Sequence, residues 1–516
     1  MNVERLELAY TIEPLRTELD EVVAAVWLTV ERFTCQGPTG AVTKQPVSSL
    51  EALFQGAAVV RLAFQSTRDL LGDRHPSESG LLESHLREAL IPVARRLTGM
   101  LIPDALGTEI QSAEGPLAIE FRVDPVLNQV PWELLFLGRD FLSFSHATGR
   151  QVLSRSGRTV TPRPQGSGDL RSAYIVDPCP IGEDRLSESL VKEAREVWGR
   201  WEADAGDKRL RFEPAGTKIS EPVSAERFTR LLQAHDLVLV LGHHSDRRCA
   251  PRDAPHLEGL LISDERGLAP ELYPPAAMLS ALQPPNVPPE LLFWLACESG
   301  LATGWGEDWP NEKRIYGFVD ATVRAGVTHF IGSSIPVPEA AAADLVEPFL
   351  LGLAMGCSVG EALRRARVAA RRGSADPASG GSLVGLAFSL FGRPSLGLLN
   401  AAGKRIGGQL AHPCQHVEDG VRCGLLYLPV EAGAGNQRCA AHTLIPSLAA
   451  PAREPCGDPY GKHVDAPAWV TALDDGWDGA VRAKGTATPR FLRLCKACRE
   501  EALAKRELVR LEDLLP

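Results

Sequence analysis

Three regions of the chain differ in how apolar and polar residues alternate. In the first 105 or so residues the clearest periodicity is helical. Residues 51–67 (EALFQGAAVVRLAFQST) and 81–100 (LLESHLREALIPVARRLTGM) carry apolar side chains three and four apart. That spacing predicts a helical N-terminal region over 1–114. No self-similarity of about 34 residues accompanies it, which argues against a helical repeat array. Residues 116–123 (PLAIEFRV) then alternate as a strand does. A Pro-Trp-Glu-Leu-Leu run follows at 131–135, and Gly138-Arg139-Asp140 has the composition of a hairpin turn. The Pro-, Gly- and Ser-rich stretch 161–167 marks a boundary, so 115–165 reads as a segment preceding the next domain.

From 166 to 402 the pattern alternates between strands and helices. Residues 172–177 (SAYIVD) are strand-like, a helix is expected over 186–202, a short strand at 209–212 and a helix at 224–234. The runs 237–241 (LVLVL), 291–295 (LLFWL) and 327–333 (VTHFIGS) are continuously apolar, as for parallel strands covered on both faces. Helices at 340–352 and 359–371 complete the series. This order predicts an α/β sandwich with a mostly parallel sheet. Residues 403–516 lack long apolar runs.

Composition narrows the picture. The chain has 516 residues, enough for several domains, with 44% hydrophobic and 23% charged residues, as in an ordinary globular protein. A net charge of −10 argues against general affinity for nucleic acid or anionic membrane. Arginine outnumbers lysine, which points to a GC-rich bacterial genome. The N-terminus is charged at once and carries no signal-peptide core, and no run is long and apolar enough to span a bilayer. The expected location is the cytoplasm, where the 11 cysteines stay reduced and serve as ligands, nucleophiles or core residues.

Two strand ends carry candidate chemistry. The run 237–241 ends in Gly242-His243-His244, and the run 291–295 ends in Ala296-Cys297-Glu298. Active sites of open parallel sheets collect at the carboxyl ends of strands. A free thiol, with a pKa of about 8.5, is mostly protonated at neutral pH. An imidazole beside it takes that proton, and the thiolate attacks a carbonyl. Cys297 is therefore the candidate nucleophile and His243 its base. His243 is the first side chain past Gly242, and adjacent side chains in an extended segment point oppositely, so only one of the two histidines faces the thiol. Cys179, Cys249 and Cys357 lack such a setting and read as structural or incidental.

These pieces together resemble the CHAT domain, a bacterial relative of the caspases and separases. The matching stretches are LVLVLGHH (237–244), LEGLLISDERG (257–267), LLFWLACESG (291–300), AGVTHFIGSSIPV (325–337), GCSVGEALRRAR (356–367) and LFGRPSL (390–396), with the upstream PWELL (131–135). The resemblance covers about 115–400. It implies a caspase-like sandwich over 166–402 and a Cys–His endopeptidase, the base lying about 50 residues upstream of the nucleophile as in caspases. It also implies an oxyanion hole formed by the N–H groups of Cys297 and His244. The family usually has glycine in place of His244. In caspases and metacaspases the residue two before the nucleophile helps select the P1 side chain. Leu295 stands there and indicates neither an acidic nor a basic P1. Glu298 and Asp264 are loop candidates for other subsites. Relatives often act in defence or regulated-death systems, and the resemblance implies antiviral defence as a setting.

The last region suggests a metal. Cys414, Cys423, Cys439, His442, Cys456, Cys495 and Cys498 cluster there, and Cys-x-x-His and Cys-x-x-Cys pairs bring two ligands from one turn to a tetrahedral ion. One partition gives Cys414, Cys423, Cys439 and His442 to a first zinc, and Cys456, Cys495, Cys498 and His463 to a second. His412 and His416 compete for these places. A small C-terminal zinc module over 403–516 is the expectation, the metal substituting for a core.

The expected protein is thus a cytoplasmic, zinc-containing cysteine endopeptidase acting on a protein substrate, encoded nearby and gated by a partner or signal. The rival readings are a catalytically inactive caspase-like scaffold and a zinc-dependent DNA-binding regulator. The near-neutral charge of the tail disfavours the second.

Overall fold

The computed structural model describes residues 4–16, 22–34, 37–59, 79–113, 115–152, 170–180, 191–192, 196, 212–214, 222–245, 259–283, 286–295, 318–333, 345–354, 357–372 and 383–399, together with short strand segments between 405 and 510. Its centre is an eleven-stranded sheet in the order β3-β2-β1-β4-β7-β16-β15-β14-β10-β8-β9. The strands are β1 (Arg5–Arg16), β2 (Val22–Thr34), β3 (Gly37–Ser49), β4 (Ala118–Val123), β7 (Ala147–Val152), β8 (Leu170–Val176), β9 (Phe212–Pro214), β10 (Leu237–Leu241), β14 (Leu291–Leu295), β15 (His329–Ser333) and β16 (Phe388–Phe391). Most pairings are parallel; β1–β2, β2–β3 and β15–β16 are antiparallel. The short strands β5 (Phe136–Leu137) and β6 (Asp140–Phe141) form the hairpin expected around Gly138. A separate three-stranded sheet joins β11 (His244–Ser245), β12 (Gly259–Ser263) and β13 (Pro270–Tyr273).

The N-terminal region is not helical throughout, and its described residues up to 49 correct that expectation. They form β1, β2 and β3, and β1 pairs with β4. The period is two: Leu6, Leu8 and Tyr10 are fully buried, while Arg5, Glu7 and Ala9 lie on the opposite face. The expected helices do follow. Residues 50–59 form α1, and the run 81–100 lies within α2 (Ser79–Leu101), followed by α3 (Asp104–Gln111).

In the second half the continuous apolar runs fold as expected. Leu237, Leu239 and Leu241 of β10 pack on one face of the sheet with Leu291, Phe293 and Leu295 of β14. Val238 and Val240 pack on the other with Leu292 and Trp294. Each such side chain contributes roughly 1.5–3 kcal/mol on burial, so a strand covered on both faces is committed to its place in the sheet. On the second face lie α5 (Ala225–Ala234), α6 (Pro275–Ala281) and α7 (Phe318–Ala325), with Phe228, Met278 and Phe318 in the core. Ser224 caps α5 by accepting from the Arg227 N–H at 3.4 Å. The first face carries α8 (Val346–Ala354) and α9 (Val359–Arg372), the latter preceded by Ser358, and the four-residue α4 (Leu142–Ser145). Among the described residues no helix is long and apolar enough to cross a membrane.

The two halves of the sheet meet where β7 lies beside β16. Their described ladder consists of one pair, Phe391 with Arg150, plus the Gly392 N–H donating to the Arg150 carbonyl at 2.8 Å. The approach is close: a Cβ on Gly149 would stand 2.8 Å from the Gly392 carbonyl oxygen. The Arg150 side chain secures the seam. It is 1% exposed, pairs with Glu133, and donates to the Asn128 carbonyl at 2.7 Å and the Ser389 hydroxyl at 2.7 Å. Its guanidinium also lies 4.9 Å from the Phe391 ring centre. The Pro-Trp-Glu-Leu-Leu run thus belongs to the core. Its Trp132 donates to the Leu127 carbonyl at 3.1 Å and packs 4.6 Å from Tyr10 and 5.0 Å from Phe121, centre to centre.

Removing one partner of a buried ion pair strands the other charge. Arg150→Ala should therefore lower unfolding free energy by about 3–5 kcal/mol, and Arg150→Met with Glu133→Leu should recover much of that loss. Urea denaturation of the three proteins checks this. A second expectation concerns Glu120 on β4. It is fully buried beside Glu7 in register on β1, with Arg393 at 3.8 Å. Burial, then the Glu7 charge, pushes its carboxyl up to about 7. An acid with a raised folded pKa loses stability as pH rises from the unfolded value through the folded one. Glu120→Gln should stabilise the protein at pH 8, by about 3 kcal/mol at most, with the gain fading towards pH 4.5. Thermal melts across that range measure it.

Candidate functional site

The carboxyl ends of β8, β10 and β14 lie side by side. The parallel register pairs Val176 with Leu241 and Leu241 with Leu295. The ladder continues one step further: the Asp177 N–H donates to the Leu241 carbonyl at 2.8 Å, and the Gly242 N–H to the Leu295 carbonyl at 3.4 Å. Gly242 has no room for a side chain, since a Cβ there would meet the Pro178 ring at 2.9 Å. This lets the chain leave the sheet tightly.

His243 follows at once and is half-buried, its carbonyl accepting from the Leu261 N–H at 2.9 Å. His244 opens β11, opposite Leu260 of β12. That pairing anchors the backbone after β10 on a small antiparallel sheet. Leu295 is the last residue of β14 and is 2% exposed, packed with Leu241 and Phe293. Cys297 and Glu298 lie outside the described residues.

Asp264 sits in the turn between β12 and β13 and is half-buried. Its carboxylate accepts from the Leu268 N–H at 2.6 Å and the Ala269 N–H at 3.1 Å. These backbone donors hold its pKa below the ordinary aspartate range. A carboxylate so engaged closes its own turn.

The proposed zinc ligands Cys414, Cys423, Cys439, His442, Cys456, His463, Cys495 and Cys498 also lie outside the described residues. Among those described, no group of three or more His, Cys, Asp or Glu could hold a metal ion. In the tail, His412–Pro413 pairs with Leu426–Tyr427, and Val417–Glu418 pairs with Val421–Arg422. Cys179 and Cys357 are buried and form no disulfide.

One residue at these strand ends escaped the reading of the sequence. Asp177 is 5% exposed and has φ of 51°, the one positive value among described non-glycine residues. The available signal was an acid directly after an apolar strand and before Pro178. In a linear reading it resembles an ordinary turn residue.

The model of the CHAT domain family matches residues 92–415, which include β4, β7, β8, β10 and β14. No curated protein matches the chain. Among solved structures, the Saccharomyces cerevisiae separase–securin complex aligns with a TM-score of 0.43 and 10% identity, over 76% of this chain. The alignment spans 30% of the separase structure's chain. With a CHAT match over more than half its length, on a mostly parallel sheet flanked by helices, the chain belongs to the CHAT domain family.

Proposed function

We propose that the chain is a cysteine endopeptidase in which Cys297 attacks the scissile carbonyl and His243 serves as base. The observation that carries this reading is the register of β10 and β14. They are adjacent parallel strands with Leu241 opposite Leu295. His243 stands two residues beyond Leu241, and Cys297 two residues beyond Leu295. Equal offsets from paired residues favour a meeting of the two side chains at one edge of the sheet. His243 accepts the thiol proton and later returns it to the leaving amine. The N–H groups of Cys297 and His244 would receive the oxyanion. Leu295, Glu298 and Asp264 remain the candidates for the substrate pocket. The substrate is a protein, and the regions outside the strand-end site would recognise it or hold the enzyme inactive until a partner or signal acts. Bacterial cytoplasm and antiviral defence form the proposed setting.

A structural zinc module in 403–516 belongs to the same proposal. The pairings of 412–413 with 426–427 and of 417–418 with 421–422 nest one hairpin inside another. Cys414 directly follows the first of these strands and Cys423 directly follows Arg422. This nesting favours a shared ion for the two cysteines. With four ligands per site, the full set would hold one or two zinc ions.

Two measurements test the proposal. Mixed with proteins encoded beside it, the wild type should release new fragments and Cys297→Ala none, while both unfold alike. His243→Ala should lose about 10²–10⁴-fold in rate, whereas His244→Gly, which keeps the backbone donor, should remain active. The reverse pattern would move the base to His244. For the metal, freshly purified protein should contain about one or two zinc per chain, and truncation before residue 405 should remove it. Elemental analysis without zinc would refute the module.

A further inference from the structure

The chain reverses its course across the sheet at β8. The strand after it, β9, lies on one side, and the next, β10, on the other. In open α/β sheets ligands bind at such a reversal, in the crevice outside the carboxyl ends of the two diverging strands. Two residues flank that crevice here: Asp177, next after β8, and His243, next but one after β10.

The Asp177 backbone is held in the left-handed region, which disfavours most residues, although aspartate tolerates it better. Its surroundings over-determine that conformation. Its own N–H is bonded to Leu241. The carbonyl of the next residue, Pro178, accepts from the Val223 N–H at 3.1 Å and the Ser263 hydroxyl at 3.0 Å. The Pro178 ring fills the space a side chain on Gly242 would need. Strain kept in place this way clusters at functional sites. The strands flanking His243 offer no competing acid, since β10, β12 and β14 are uncharged. Asp264 spends its carboxylate on the Leu268 and Ala269 N–H groups.

We propose that Asp177 is a positioning residue for His243. Its carboxylate orients the imidazole and stabilises the imidazolium formed when the Cys297 thiol gives up its proton; the carboxylate stays ionised throughout. This rests on the Cys–His reading above. The nearest alternative use of the same acid is to bind a basic P1 side chain.

Asp177→Asn and Asp177→Gly both tolerate a positive φ, so they remove the charge while leaving the turn. Two readouts need no substrate. The first is the NMR titration of His243 in a Cys297→Ala background, with the signal assigned by its loss in His243→Gln. The second is the rate of iodoacetamide alkylation of Cys297 against pH, read by mass spectrometry. Both variants should lower the His243 pKa by about one unit and raise the alkylation midpoint by about one unit, a roughly tenfold slower reaction at pH 6. Asp177→Glu should recover part of both effects. An unmoved His243 titration overturns the proposal, including when only cleavage after basic residues weakens, which would make Asp177 a P1 contact. Should Cys297 in the unchanged protein alkylate as an ordinary thiol while His243 still responds to Asp177→Asn, the peptidase reading fails and the Asp177–His243 pairing stands.

Discussion

The architecture depends on one buried cation. Arg150 stands at the seam where the N-terminal strands meet the rest of the sheet, and the described β7–β16 ladder there is one pair long. So short a ladder gives little register on its own. The side chain supplies the remainder by binding Glu133, the Asn128 carbonyl and Ser389 at once. A guanidinium presents its donors in a fixed fork, so partners on different elements are held in one relative geometry. A lysine at the same place would provide a point charge without that geometry.

The seam is reinforced from α9. Arg367 donates to the Thr148 hydroxyl on β7, to the Gly385 carbonyl ahead of β16 and to the carbonyl of Phe388, the first residue of β16, so it too spans both halves. Arg364 reaches the Phe144 carbonyl at 3.1 Å while paired with Glu361. These charges are buried, and each finds a partner, which is the condition under which burial of charge is tolerated. The Trp132, Tyr10 and Phe121 cluster closes the same region with apolar contacts. The CHAT match begins at residue 92 and therefore takes in β4, the Pro-Trp-Glu-Leu-Leu run and β7 as well as the later strands. The physical unit and the matched region both cross the seam.

The strand-end site sits away from this seam, beyond β15 in the sheet order. It is built on strands that are apolar throughout. β10 and β14 have all five residues buried, so their ends are anchored by the core. Gly242 and the bond between Leu261 and His243 then fix how the chain leaves β10. Rigid strands delivering residues to a common edge is the arrangement a nucleophile and a base require, because both must keep their distance through a reaction.

Much of this was legible in the sequence. The runs 237–241 and 291–295 are strands to the residue, the helix at 224–234 starts from Ser224 as its cap, and α9 spans Val359–Arg372 against an expected 359–371. Gly242-His243 could be read as a strand exit. The strands β1 to β3 were equally legible, since Leu6, Leu8 and Tyr10 alternate, but helical runs later in the same region obscured that shorter period. What the sequence determined by itself is the set of faces each segment must bury, because periodicity is a local property of neighbouring side chains. Only the tertiary structure decided the strand order, the reversal at β8 and the burial of Arg150. Those follow from packing free energies summed over segments far apart in the chain. That is why Arg150 and Asp177, ordinary polar residues in the linear sequence, acquire their places only once the sheet is assembled.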